Sequence, residues 1–122
     1  KQGLKPNSIS TDLHTGSMNG GMKNIVNVMS KFLNMGIEID EIIKSTTWNP
    51  AKYIKRTDLG HLSVGAEADI TLLNLRKGDF GFIDTQGKRM KGNNLLECEL
   101  TIKAGKIVYD LNGLASNEWR KK

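Results

Sequence analysis

The sequence predicts a mixed α and β fold, in which one short strand and two or three helices precede at least four strands. Two changes of pattern along the chain indicate this order. Apolar residues recur at helical spacing from Met22 to Leu33, whereas residues 95–103 alternate between apolar and polar side chains, as a half-buried strand does. With 122 residues, 38% of them hydrophobic and 25% charged, the chain has the size and composition of one domain.

The first predicted strand covers residues 8–11 and ends at Asp12. Its sequence, Ser-Ile-Ser-Thr, is short and β-branched. A glycine-bearing loop, residues 13–21, follows the strand, and an amphipathic helix begins at Met22. We expect that helix to end before Gly36, which suits the position after a helix C-terminus.

Two further helices are predicted in the first half of the chain. The second helix begins near Glu38 and ends around Trp48, because Pro50 disfavours a helical conformation at the residue before it. Asn49 and Pro50 are then the N-cap and the first residue of a short third helix, which ends at Lys55.

The second half of the chain predicts strands. They are residues 69–75, 80–84, 88–91, 95–103 and 106–109. Ala104 and Gly105 join the last two in a hairpin. The single strand at the start cannot form a sheet alone. It either pairs with the later strands or belongs to a barrel whose other strands lie outside this chain.

The net charge of +5 invites a nucleic-acid interpretation, so its location along the chain matters. Five basic residues lie at the two ends, namely Lys1, Lys5, Arg120, Lys121 and Lys122. Since the chain has 18 Lys and Arg and 13 Asp and Glu, the remaining residues carry 13 charges of each sign. The seven aromatic residues are scattered rather than interleaved with basic ones. We therefore expect no nucleic-acid partner.

The compartment is predicted from apolar runs and cysteine content. The longest apolar runs are far shorter than the roughly 20 residues that cross a bilayer, so we expect no membrane contact. The basic N-terminus is not followed by the apolar segment of a secretory signal. The single cysteine, Cys98, agrees with a reducing compartment, and we expect a cytoplasmic protein. The chain begins with Lys1 rather than methionine, which favours a piece of something longer over a processed product.

Asp12 is the best candidate for chemistry. A carboxylate after a strand and before a glycine-bearing loop and a helix lies where α/β folds carry catalytic groups. Such a carboxylate can bind a divalent metal or accept a proton from a bound water. An Asx turn to the residue's own backbone explains the same position, and spacing alone slightly favours that turn.

His14 lies two residues further on, on the same side as Asp12 if the chain stays extended. One aspartate and one histidine are too few for a closed metal site, and His61 is remote in sequence. His14 is thus a candidate substrate contact, a candidate fourth ligand or a solvated loop residue, and its context favours the loop residue. Phosphate-loop, dinucleotide-binding, nucleophile-elbow and HExxH motifs do not occur.

Four segments carry a more specific signal when they are taken in order. They are SISTDLH (8–14), STTWNPAKYI (45–54), LGHLSVGAEADITLLNL (59–75) and LTIKAGKIVYD (100–110). Together they resemble the C-terminal part of a metal-dependent amidohydrolase of the dihydroorotase-like and deacetylase-like branch. The resemblance implies an α/β fold class. Residues 1–58 would be the last strand and helices of a (β/α)8 metal-hydrolase barrel, residues 59–115 part of a small β-sandwich domain, and residues 116–122 a basic tail.

The resemblance also implies an activity, which is hydrolysis of non-peptide C–N bonds in a small molecule, either a cyclic amide or an acetyl substrate, through a metal-activated water. Asp12 would be a ligand of a divalent metal, expected to be zinc, and the general base that activates the water. His14 does not match a ligand position of the family and is carried only as a substrate contact.

The resemblance further implies that the other ligands are missing. They are a His-x-His pair near the first barrel strand, a lysine on the fourth, and histidines on the fifth and sixth. A barrel of this kind takes about 250 residues, so we expect the 122 residues alone to be inactive, to bind zinc poorly and to self-associate through exposed helix faces. The alternative is a self-standing small α+β domain for binding or assembly, in which Asp12 is a turn residue.

Overall fold

Three helices precede three strands in the described part of the chain. The computed structural model describes residues 3–18, 20–21 and 23–120. The helices are α1 (Ile25–Asn34), α2 (Ile39–Thr46) and α3 (Trp48–Tyr53), and the strands are β1 (Ile70–Ile83), β2 (Arg89–Lys103) and β3 (Lys106–Asp110). The strands form one antiparallel sheet in the order β1-β2-β3. Among the described helices, none has the length and apolar character needed to cross a bilayer.

Helix α1 begins and ends at recognisable caps. The Asn24 side chain accepts a hydrogen bond from the Asn27 amide at 2.8 Å, which satisfies one of the free N–H groups of the first turn. Gly36 follows the helix with a φ of 92°, in the left-handed region that glycine enters without strain. The predicted C-terminal end is therefore confirmed. Met22, where the sequence predicts the start, lies outside the described residues.

Helix α3 begins two residues earlier than predicted. Thr47, not Asn49, is its N-cap, and Pro50 lies in the first turn, where backbone N–H groups have no partner within the helix and a missing one costs little. The Asn49 side chain instead donates to the Asn7 carbonyl at 2.7 Å. The proline therefore limits the start of α3 but does not determine the cap.

Residues 8–11 form no strand, so that prediction is wrong. The Ile9 amide donates to the Ser45 carbonyl of α2 at 2.9 Å, and the Ser45 hydroxyl donates to the Pro6 carbonyl at 3.2 Å. A strand needs a neighbouring strand to take up its backbone groups. Here the segment lies along a helix instead, and the three described strands pair only with one another.

The sheet contains fewer and longer strands than predicted. The predicted strands 69–75 and 80–84 are one strand, β1, and 88–91 and 95–103 are likewise one strand, β2. The register of the β1–β2 pair shifts between Lys77 and Phe80, at an irregularity of the β-bulge type. A bulge lets pairing continue past a residue that breaks the alternation, which is why one strand looks like two in the sequence.

The hairpin between β2 and β3 forms as predicted. Ala104 and Gly105 have φ values of 48° and 76°, which is typical of a two-residue turn with two left-handed residues. The Asp69 carboxylate binds this turn, since it accepts from the Lys103 ammonium and from the Ala104 amide, both at 2.8 Å. The Lys103 hydrogen bond, followed by the Ala104 amide, lowers the pKa of Asp69.

The core is built from α1, α2, β2 and the segment around Ile9. Its buried members are Ile9, Val28, Met29, Ile42 and Leu96. Phe32 packs against this cluster, whereas Ile25 at the start of the same helix is 37% exposed. Exposure of the helix face, which the sequence predicts, is therefore confined to part of α1.

Two polar side chains of α1 bind the backbone of β2. Ser30 is fully buried, and its hydroxyl donates to the Val26 carbonyl at 2.8 Å and accepts from the Leu96 amide at 2.9 Å. The Asn34 side chain donates to the Asn94 carbonyl at 2.7 Å and accepts from the Asn94 amide at 3.1 Å. These bonds define the position of α1 along β2.

Replacing Ser30 with alanine should destabilise the fold, because the buried Leu96 amide loses its acceptor. We expect Ser30→Ala to lower the free energy of unfolding by about 1–3 kcal/mol, measured by urea denaturation. Ser63→Ala is the matched control, since Ser63 is exposed, and should change the value by no more than about 0.5 kcal/mol. An equal effect of the two substitutions would contradict this role of Ser30.

Candidate functional site

Asp12 lies in an irregular segment and not at the end of a strand. Its φ is 50°, a left-handed conformation that aspartate tolerates better than most residues, and the residue is exposed. The left-handed residue bends the chain, so the extended segment that would place Asp12 and His14 on one side does not form. We call residues 12–18 the site loop.

Ser17 closes the site loop. Its hydroxyl accepts a hydrogen bond from the His14 amide and donates one to the Asp12 carbonyl, both at 3.0 Å. In an Asx turn the Asp12 carboxylate would accept from the amide two residues ahead, which is that of His14. That amide is bound to Ser17 instead, so the Asx turn, the alternative that the spacing slightly favours, does not hold the loop together.

The ring of His14 caps the same loop. Its Nδ1 atom accepts hydrogen bonds from the Gly16 amide at 3.0 Å and the Ser17 amide at 3.1 Å. An imidazole nitrogen that accepts carries no proton, so the neutral ring is protonated at Nε2. The sequence favours a solvated loop residue at this position. In the structure His14 also caps its loop through Nδ1, and its Nε2–H is a hydrogen-bond donor. The donors are backbone amides, which any residue but proline carries, so the sequence offers no signal for this cap.

The described residues do not by themselves complete a metal site. No group of three or more His, Cys, Asp and Glu side chains that could hold a metal occurs among them. A catalytic zinc takes three protein ligands and keeps one position open. Asp12 offers one exposed carboxylate, and the Nδ1 atom of His14 is already bound to the loop. The site loop can thus supply one ligand, the Asp12 carboxylate, and the described residues do not supply the others.

The other residues considered for chemistry have structural surroundings. His61 packs edge-on against Trp48 with ring centres 5.4 Å apart, and its Nε2 atom lies 3.0 Å from the Thr57 carbonyl. Cys98 is half-buried in β2, with its sulfur 3.3 Å from the Thr101 hydroxyl. Neither residue lies in the site loop.

An apolar cavity lies away from the site loop. It has a volume of about 550 Å³ and lies between α1, α2 and the start of β1. Apolar side chains line most of it, among them Ile25, Met29 and Ile43, and neither Asp12 nor His14 does. The cavity therefore does not contain the residues predicted for chemistry, and the site loop remains the candidate site.

Comparison with known proteins decides the family. The model of the amidohydrolase family matches residues 1–108, which includes the site loop and most of the sheet. The chain belongs to the amidohydrolase family. The resemblance noted in the sequence is thereby confirmed.

Relatives and structural neighbours of the chain are enzymes with different names. Over 97 residues the chain is 39% identical to a deacetylase of Brucella anthropi, and the match covers 80% of the chain and 24% of the relative. The crystal structure of an adenine deaminase superposes with a TM-score of 0.82 at 30% identity, and that of a dihydroorotase with 0.79 at 31%. Each superposition covers 88% of this chain and 29% of the solved one. The chain spans about a quarter of the length of the curated relatives it matches.

The cap formed by the Nδ1 atom of His14 can be tested with two substitutions, one that keeps a hydrogen-bond acceptor at this place and one that removes it. In His14→Asn the side-chain oxygen can take the place of Nδ1 and accept from the same amides, whereas His14→Ala removes the acceptor. We expect amide hydrogen exchange at Gly16 and Ser17 to be about tenfold faster in the alanine variant and near the original rate in the asparagine variant. Equal rates in the original chain and the alanine variant would show that the ring does not hold the loop.

Proposed function

We propose that this chain is the C-terminal part of a metal-dependent hydrolase that cleaves non-peptide C–N bonds in a small molecule, a cyclic amide or an acetylated substrate. The observation that carries the proposal is the family match over residues 1–108, which includes Asp12 in its exposed loop. Relatives and structural neighbours named deacetylase, adenine deaminase and dihydroorotase support the reaction class.

In this proposal Asp12 is one metal ligand and the general base. When bound, a divalent metal, here proposed to be zinc, supplies a Lewis acid and a water of lowered pKa. The Asp12 carboxylate would accept a proton and then deliver it to the leaving nitrogen. Two features of the loop support this role. The carboxylate is not used in an Asx turn with His14, and the bond from the Ser17 hydroxyl holds the backbone of Asp12 in place.

His14 is proposed as a substrate contact. Because its Nδ1 atom accepts from the loop amides, its Nε2–H is the group left to face a ligand. An N–H donor suits a carbonyl or carboxylate oxygen of the substrate. The same bonds hold the ring in one orientation, which lowers the entropy lost on binding.

The remaining parts of the centre are proposed to lie elsewhere in a longer polypeptide. Residues 1–58 would belong to the barrel, residues 59–115 to the β-sandwich domain and residues 116–122 to a basic tail. The chain spans 24% of the deacetylase and 29% of the adenine deaminase, which supports the proposal that the rest of the centre lies outside it. The 122 residues alone would be inactive and bind zinc poorly, because one carboxylate does not retain a metal. We also propose a cytoplasmic location.

Asp12→Asn in the full-length protein should abolish most of the activity while leaving the fold intact. An amide cannot accept the proton and is a weaker ligand, so we expect turnover of an N-acetyl or cyclic amide substrate to fall by about a hundredfold or more. Asp79→Asn, which changes another exposed carboxylate of the chain, is the control and should keep full activity. Activity retained in Asp12→Asn, with an unchanged circular dichroism spectrum, would defeat the assignment.

One observation favours the alternative, a self-standing domain for binding or assembly. The core cluster joins Ile9 and Met29 from the first half to Leu96 of β2, so the chain buries a common core of its own. This alternative predicts that the 122 residues unfold in one cooperative transition as a monomer. The hydrolase proposal predicts self-association through exposed apolar residues such as Ile25 and Ile43, measured by analytical ultracentrifugation. A monomer with a cooperative transition favours the alternative.

A further inference from the structure

Lys31 joins two segments that are far apart in the sequence. It lies in α1, and its ammonium group donates to the Gly21 carbonyl at 2.9 Å and to the Ile83 carbonyl at 2.7 Å. Gly21 follows the site loop, and Ile83 is the last residue of β1. A lysine in the last turn of a helix often interacts with the helix's own terminal carbonyls. Here the ammonium reaches past them to two carbonyls outside α1.

Gly21 is pressed against the same hairpin. The residue is buried, and a Cβ atom built on it would collide with the backbone of Ile83 and Asp84. Its φ lies outside the left-handed region, so lack of space, and not backbone conformation, requires glycine here. The chain after the site loop therefore lies directly on the end of β1.

The hairpin end offers a rigid support. The Asp84 carboxylate accepts from the Gln86 amide at 2.9 Å and from the Lys88 amide at 2.8 Å, and the Asp84 amide donates to the Lys88 carbonyl at 2.9 Å. Gly87 completes the turn with a φ of 79°. These bonds hold the turn between β1 and β2 in one conformation.

A continuous set of contacts leads from this support to Asp12. Gly20, next to Gly21, donates its amide to the Ser17 carbonyl at 3.0 Å. The Ser17 hydroxyl in turn donates to the Asp12 carbonyl at 3.0 Å. A shift of Gly21 relative to the hairpin would thus be passed to the backbone of the candidate catalytic carboxylate.

We propose that Lys31 is a positioning residue, which together with Gly21 holds the site loop in place by fastening its exit to the β1–β2 hairpin. The inference rests on the proposed function for its catalytic meaning, because it concerns the placement of Asp12. The end of β1 would then support the site loop through the backbone of Ile83 and Asp84. Misplacement of a reacting group by about 1 Å can cost on the order of a hundredfold in rate.

The test uses two matched pairs of substitutions in the full-length protein. Lys31→Met keeps the apolar stem of the side chain but removes the donor, whereas Lys31→Arg keeps a donor. Gly21→Ala introduces the collision with the hairpin. Gly20→Ala places a Cβ atom no closer than 3.4 Å to the Ser17 carbonyl oxygen and leaves the hairpin contact unchanged.

The first readout is hydrogen exchange of the peptide covering residues 12–20, with the amides of α1 as the internal reference. We expect exchange to be about tenfold faster in Lys31→Met and Gly21→Ala, and unchanged in Lys31→Arg and Gly20→Ala. Unchanged exchange in both Lys31→Met and Gly21→Ala overturns the proposal. So does an equal acceleration of the α1 amides, which would show general destabilisation.

The second readout is turnover, which separates this inference from the proposed function. We expect kcat to fall by about tenfold or more in Lys31→Met with KM little changed, and to recover in Lys31→Arg. If Asp12→Asn retains activity, the proposed function fails, while the exchange data still decide whether Lys31 holds the loop. If Asp12→Asn is inactive and Lys31→Met exchanges and turns over normally, only the inference about Lys31 fails.

Discussion

The arrangement of the chain depends on the buried hydrogen bond between the Ser30 hydroxyl and the Leu96 amide. It binds a helix to the middle strand of a sheet at a point where both are closed to water, so the bond has no competing solvent partner. Asn34 adds a second attachment one turn further on. Because α1 is held at these two points, Lys31 between them is directed to the hairpin and to the chain that leaves the site loop.

The site loop has a different character from the core. It is exposed and is held by its own short-range hydrogen bonds, chiefly those of the Ser17 hydroxyl and the His14 ring. Such bonds hold the backbone of Asp12 while its side chain stays exposed. A carboxylate in this state is available as a ligand, but one ligand does not make a metal centre. In the proposed function, the loop would supply this one carboxylate to a centre whose other ligands come from elsewhere in a longer polypeptide.

The errors of the sequence interpretation have a common cause. Residues 8–11 have strand-forming side chains, yet their backbone bonds to α2, because propensity does not supply a pairing partner. Asn49 and Pro50 indicate a cap and a helix start, yet the Asn49 side chain donates to the distant Asn7 carbonyl and the N-cap is Thr47. The bulge between Lys77 and Phe80 depends on how β1 pairs with β2, and the sequence of β1 alone does not show that pairing. In each case the outcome depends on a neighbour that is distant in the sequence.

By itself the sequence determined the family, the order of helices before strands, the C-terminal end of α1 and the turn at Ala104 and Gly105. These features depend on local periodicity, on glycine at left-handed positions and on motifs read in order. Only the tertiary structure decided that His14 caps its loop through Nδ1 and that Lys31 joins the loop exit to the β1–β2 hairpin. Contacts of this kind require a defined distance between groups, and a one-dimensional pattern does not contain distances.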